Sequence, residues 1–169
     1  MPDDGSPQAG EPACVESFPR AEVFLRAQDT GGTYERALRE LRSGRKRTHW
    51  MWFIFPQVEG LGRSETSRRF ALSSVAEAAA YLRHPVLGPR LLECSRAVLS
   101  HASERAAEVP ASAEEIFGSI DALKLRSSMT LFREAAPDIP EFGEVLDRFF
   151  GGEPDPATLS ILADPSGPC

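Results

Sequence analysis

Apolar residues recur every three or four positions over most of the chain, the period of a helix that buries one face. Val23, Phe24 and Ala27 share a face in a segment from Phe18 to Ala27, which Gly31 and Gly32 bring to an end. Ala37, Leu38 and Leu41 form the next stripe. It starts at Thr33, an N-cap residue with Arg36 in place of the acid of a full capping box, and stops near Ser43, where Gly44 favours a left-handed end. Ser64 heads a helix to about Leu72. Ser74 with Glu77 makes a capping box for an alanine-rich helix to Leu82, closed by His84-Pro85. Leu87 to Ala102 carries Leu91, Cys94, Ala97 or Val98, and Leu99 inward. Ser112 with Glu115 makes a second capping box. Leu125, Met129 and Phe132 line one face of a helix from Ser119 to Phe132, and Phe142, Val145, Leu146 and Phe149 one face of another from Pro140 to Phe150. Asp155-Pro156 reads as an N-cap with proline in the first turn of a last helix reaching Leu162.

One stretch breaks the period. RKRTHWMWFIFPQ, residues 45–57, packs both tryptophans of the chain behind three cations. It is apolar on both sides and rich in Trp, Phe and Ile, which favours a buried strand or irregular turn over a helix. The prediction is therefore a mainly α, single compact multi-helical domain over residues 17–162, with one short extended segment around residues 48–55. A Pro- and Gly-rich disordered tail at 1–16 and a frayed tail at 163–169 flank it.

Composition narrows the function classes. Hydrophobic residues make up 41% of the 169, enough for a core, and a net charge of −6 argues against a dedicated nucleic-acid binder. No apolar run approaches the roughly 18 to 20 residues that cross a bilayer, and the acidic start is not a signal peptide, so a cytoplasmic protein is expected. Cys14, Cys94 and Cys169 have no metal or redox spacing, and no His/Asp/Glu group has ligand spacing. Neither a metal nor a cofactor is expected.

Three stretches carry candidate chemistry. Trp50 and Trp52 fill a core or, with His49, wall a pocket for a planar ligand. Gly60-Leu61-Gly62-Arg63-Ser64 puts glycines and a cation before a helix start, where backbone N–H groups suit a phosphate or carboxylate. On a helix, Lys124, Ser127 and Ser128 share one side, opposite Leu125, Met129 and Phe132. Arg36, Arg39, Arg42, Arg45, Lys46 and Arg47 form a basic run that reads first as a solvated face and second as a docking patch for an acidic partner. His49 is the one histidine beside a candidate site and the best candidate base.

AQD at 27–29, HWMWFIFPQ at 49–57, GLGRS at 60–64, YLRHPVLGPRL at 81–91, IFG at 116–118 and KLRSSMTLF at 124–132 follow one another in this order. The set closely resembles the bacterial family known as domain of unknown function 1810, over roughly residues 18–162. The resemblance implies a small, mainly helical cytosolic protein and no established activity. Members are sometimes mislabelled calpastatin; an inhibitor of that kind is a disordered chain, and this composition is that of a packed domain. Among the shared motif residues, Lys46, His49, Gln57, Ser64, Lys124, Ser127 and Ser128 are polar beyond what a core requires. Brought together with Arg63, they would make a cationic, hydroxyl-rich pocket walled by Trp50 or Trp52. Such a pocket suits a phosphorylated or nucleotide-like small molecule. The competing expectation is a non-enzymatic interaction module using the basic helix.

Overall fold

A computed structural model of the chain describes residues 18–102 and 111–164. The tail expected at 1–16 and most of the one expected at 163–169 lie outside the described residues. α1 (Ala21–Asp29) and α2 (Thr33–Ser43) are followed by a single turn, α3 (Met51–Ile54), and by α4 (Glu65–Phe70). α5 (Val75–Arg83), α6 (Leu87–Leu99), α7 (Ala113–Phe117), α8 (Ser119–Ala135), α9 (Pro140–Phe150) and α10 (Pro156–Ala163) complete the fold. Among the described residues there is no strand, and no helix is long and apolar enough to cross a membrane.

Several starts and stops follow local chemistry. The Ser64, Ser74, Ser112 and Asp155 side chains each accept a backbone N–H in the first turn of the helix that follows. Ser112 and Glu115 close the full reciprocal capping box. Glu77 instead turns to the Ser73 amide and to Arg20, so the box at Ser74 is half made. Thr33 does not cap α2. Gly32 holds that position in a left-handed conformation, and the Thr33 hydroxyl bonds the Thr30 carbonyl. Gly44 ends α2 at φ 79°, and the His101 imidazole packs against it. His101 Nε2 donates to the Leu41 carbonyl at 2.6 Å, so His101 serves the C-terminus of α2 rather than that of its own helix.

The segment around 48–55 is not extended. It tightens into the one-turn helix α3, with Ile54 N and Phe55 N bonded back to Trp50 and Met51. Extended pairing comes just after it, as a single parallel bridge between Val58 and Leu72. Strand propensity yields here because Trp50, Met51, Ile54 and Phe55 all become buried, at spacings of three and four that a helical turn satisfies.

α8 is the central element. It packs against α5, α7, α9 and α10, while α6 packs against α2, α5 and α9. The middle of α8 is therefore buried nearly all round, including Ser127, Ser128 and Thr130, so the two-sided pattern predicted for it does not hold. The AQD segment is explained by a buried polar cluster. The Gln28 amide donates to the Phe53 carbonyl (2.9 Å) and the Tyr81 hydroxyl (3.2 Å), and its oxygen accepts from Arg90 (3.1 Å). Arg90 pairs with Asp29 at 2.8 Å and lies over the Tyr34 ring. Gln28 thus ties α3 to α5 and α6. Cys94 is buried beside this cluster; burial first, and then the Glu93 charge, push its thiol up to about 12. A thiol so held is a core residue and not a nucleophile.

Candidate functional site

The approach to the tryptophans is shaped by one carboxylate. Glu40 projects from α2 beneath the 45–50 segment and accepts hydrogen bonds from the Arg47 and Thr48 amides, the Thr48 hydroxyl and the Trp50 indole. Burial alone would raise its carboxyl; these hydrogen bonds outweigh burial and hold it below the usual range. Four donors on one ionised group fix the loop that delivers Lys46 and Trp50.

Lys46 lies inside. Its side chain is 8% exposed, its ammonium reaches Asp121 at 3.0 Å and the Thr48 carbonyl, and it sits 4.9 Å from the Trp50 ring centroid. Lys124 repeats the arrangement one layer out. It pairs with the other oxygen of Asp121 at 3.3 Å and lies 4.6 Å over Trp52. Two cation–aromatic pairs thus share one acid at the start of α8.

The outer pair borders a cleft of about 310 Å³. Trp52, Gln57, Val58, Leu61 and Gly62 come from α3 and the connection after it; Ser67, Phe70 and Ala71 come from α4 and its end. Ile120, Leu123, Lys124 and Ser127 come from α8, and Asp155 and Ala157 from the start of α10. At Gly62 a Cβ would meet the Ser67 Cβ at 2.4 Å, so glycine there lets the connection close on α4. Ile120 and Leu123 are 71% and 62% exposed, the most exposed large hydrophobic side chains among the described residues.

The connection that brings Asp155 to the cleft is held from α8. Arg126 donates to the Glu153 and Pro154 carbonyls, and the Asp155 amide donates to the Thr130 hydroxyl at 2.9 Å. Asp155 Oδ2 accepts from Ser127 Oγ (2.9 Å), Thr158 Oγ1 (2.6 Å) and the Thr158 amide (3.2 Å). With Lys124 matched by Asp121, and Asp155 beside it, the cleft is charge-balanced and not the cationic pocket expected.

Of the residues singled out from the sequence, Trp52, Gln57, Lys124 and Ser127 line this cleft. The others do not. Trp50 is 0% exposed and belongs to the core, against Phe55 and Phe117. Lys46 is inside with it. His49 is exposed on the loop, Arg63 is exposed, and Ser64 serves as the cap of α4. Ser128 is fully buried, and its hydroxyl has no hydrogen-bond partner among the described residues. Sequence reasoning missed Ile120 and Leu123, which fall off the Leu125–Met129–Phe132 stripe, and saw Asp155 only as a cap. The basic run is broken up: Arg42 pairs with Glu93, Arg36 bonds the Gly31 carbonyl, and Lys46 is internal. A larger hollow, about 580 Å³, is lined by Glu59, Ser73, Ser74, Ile161 and Asp164 among others, and among the described residues its lining has no aromatic residue and no cation. Among the described residues no three His, Cys, Asp or Glu side chains converge as a metal would require.

The chain belongs to the family described as protein of unknown function (DUF1810), whose model matches residues 20–162. Its fold is similar to the crystal structure of the conserved hypothetical protein Rv1873 from Mycobacterium tuberculosis. The two are 43% identical, with a TM-score of 0.75, over 91% of this chain and 99% of that one. No curated protein matches the sequence.

Proposed function

We propose that the chain binds a phosphorylated or nucleotide-like small molecule in the cleft between α3, α4, α8 and α10. The observation that carries the reading is the lining itself. Apolar walls (Trp52, Leu61, Phe70) and two exposed apolar side chains at the α8 edge surround a few converging polar groups: Gln57, Lys124, Ser127 and Asp155. Ligand sites have this composition, mostly apolar with a small number of placed polar groups. Ile120 and Leu123 gain from any occupant that covers them, since full burial of such a side chain is worth about 1.5–3 kcal/mol. An anionic oxygen entering here takes Lys124 from Asp121, and Lys46 remains to keep that acid paired. No catalytic group is assigned, because His49 does not reach the cleft.

The test is a thermal-shift screen of the full chain against nucleosides, nucleotides, sugar phosphates and simple oxyanions, with Trp52→Ala and Lys124→Ala alongside. A ligand at 100 times its Kd adds about 2.7 kcal/mol, which is several degrees for a domain this size. The expected result is a hit in the parent chain that both substitutions weaken. A flat response across the panel would sink the reading. It would turn attention to the same edge as a protein contact, the module reading, for which exposed Ile120 and Leu123 are the specific support.

A further inference from the structure

We infer that Asp155 is the acceptor for ligand hydroxyl groups, so that the portion of the ligand buried in the cleft is an uncharged, hydroxyl-bearing nucleoside and its phosphate, if present, stays outside. This rests on the proposed binding function of the same cleft. A carboxylate offers about four acceptor positions on its two oxygens. All three donors that reach the Asp155 side chain, from Ser127 and Thr158, go to Oδ2. Among the described residues Oδ1 has no donor. The group is at the same time rigid: α8 holds its backbone through Thr130 and its side chain through Ser127. A fixed carboxylate in the lining of the cleft, with one oxygen that is not buried and has no donor among the described residues, is preorganised to accept O–H or N–H groups. It repels a phosphate.

The charges around it point the same way. Among the described residues Lys124 is the one cation lining the cleft, and Asp121 already pairs with it. A dianionic phosphate beside Asp155 would be repelled by it, and Lys124 could offset that charge only by leaving Asp121. A sugar diol meets no such penalty. It would donate to Asp155 while a planar base occupies the apolar space beside Trp52, Leu61 and Phe70.

Isothermal titration calorimetry on the full chain separates the alternatives, with adenosine, 2′,3′-dideoxyadenosine and AMP as probes. Adenosine is expected to bind at least about tenfold more tightly than the dideoxy analogue, the worth of a hydrogen bond to a charged group. AMP is expected to bind no more tightly than adenosine. In Asp155→Asn the preference for adenosine should fall to near unity. Asparagine is an equally good N-cap, so α10 should be retained, and a thermal melt checks that it is. Equal binding of adenosine and its dideoxy analogue by the parent chain overturns the inference without any variant. Binding of AMP but not adenosine overturns it and leaves the cleft reading standing. Absence of binding by all three overturns the inference, while a hit from another class in the thermal-shift screen would still preserve the cleft reading.

Discussion

Trp50 and Trp52 stand two residues apart, each lies against a lysine, and both lysines reach Asp121, yet the two sites differ in kind. Around Trp50 the buried polar groups close upon one another. Its indole meets Glu40, Lys46 meets Asp121 and the Thr48 carbonyl, and the ring is 0% exposed. Around Trp52 the closure is incomplete. The ring borders a cleft, Ile120 and Leu123 face solvent, and one oxygen of Asp155 has no donor among the described residues. The first arrangement is what a core demands of polar groups that enter it. The second leaves unmet interactions in one place, and a ligand could meet them.

The sharpest way to break this comparison is to truncate each ring. Trp50→Ala should cost about 3–5 kcal/mol, the range for a fully buried aromatic, measured by denaturant unfolding. Trp52→Ala should cost clearly less and should instead remove probe binding. Equal losses of stability would mean that the two sites are not different in kind. Next is Glu40. Glu40→Ala strands the donors of Arg47, Thr48 and Trp50, for an expected loss of about 3 kcal/mol. Glu40→Gln tests its charge. The folded carboxyl titrates below its unfolded value of 4.5, so its contribution is present above that value and is lost as the pH falls through the folded value. Unfolding free energies between pH 7 and 3 should fall less steeply for Glu40→Gln than for the parent. Parallel curves would remove Glu40 as the source.

A smaller effect is expected at the cleft edge. Gly62→Ala places a methyl 2.4 Å from Ser67 Cβ, so the connection or α4 must shift, at about 1–3 kcal/mol. A loss of probe binding beyond that of stability would show that the cleft shape depends on this approach. The smallest effect has the opposite sign. Ser128→Ala deletes a buried hydroxyl that has no partner among the described residues, and stability should stay level or rise by up to about 1 kcal/mol. A loss of more than 1 kcal/mol would mean that the hydroxyl has a partner after all.

Much of the helical fold was legible in local pattern. Ser64, Ser74, Ser112 and Asp155 cap helices because a side-chain oxygen needs only the next turn to bond, and Gly44 ends α2 because its conformation is left-handed. Pro140–Phe150 follows its stripe from end to end. The tertiary structure decided everything that depends on a distant neighbour. It made α3 a helical turn where propensity favoured extension, since burial of Trp50, Met51, Ile54 and Phe55 together outweighs a weak local preference. It enclosed α8 on several sides, which turned Ser128 from a surface hydroxyl into a buried one with no partner among the described residues. It brought Asp155 against Ser127, some 28 residues apart in the chain, and sent Lys46 inward while leaving His49 outside. Helix starts are contracts between residues three apart, which periodicity and caps reveal. A cleft is made by elements that meet only after folding, and no spacing along the chain encodes which of two tryptophans will face it.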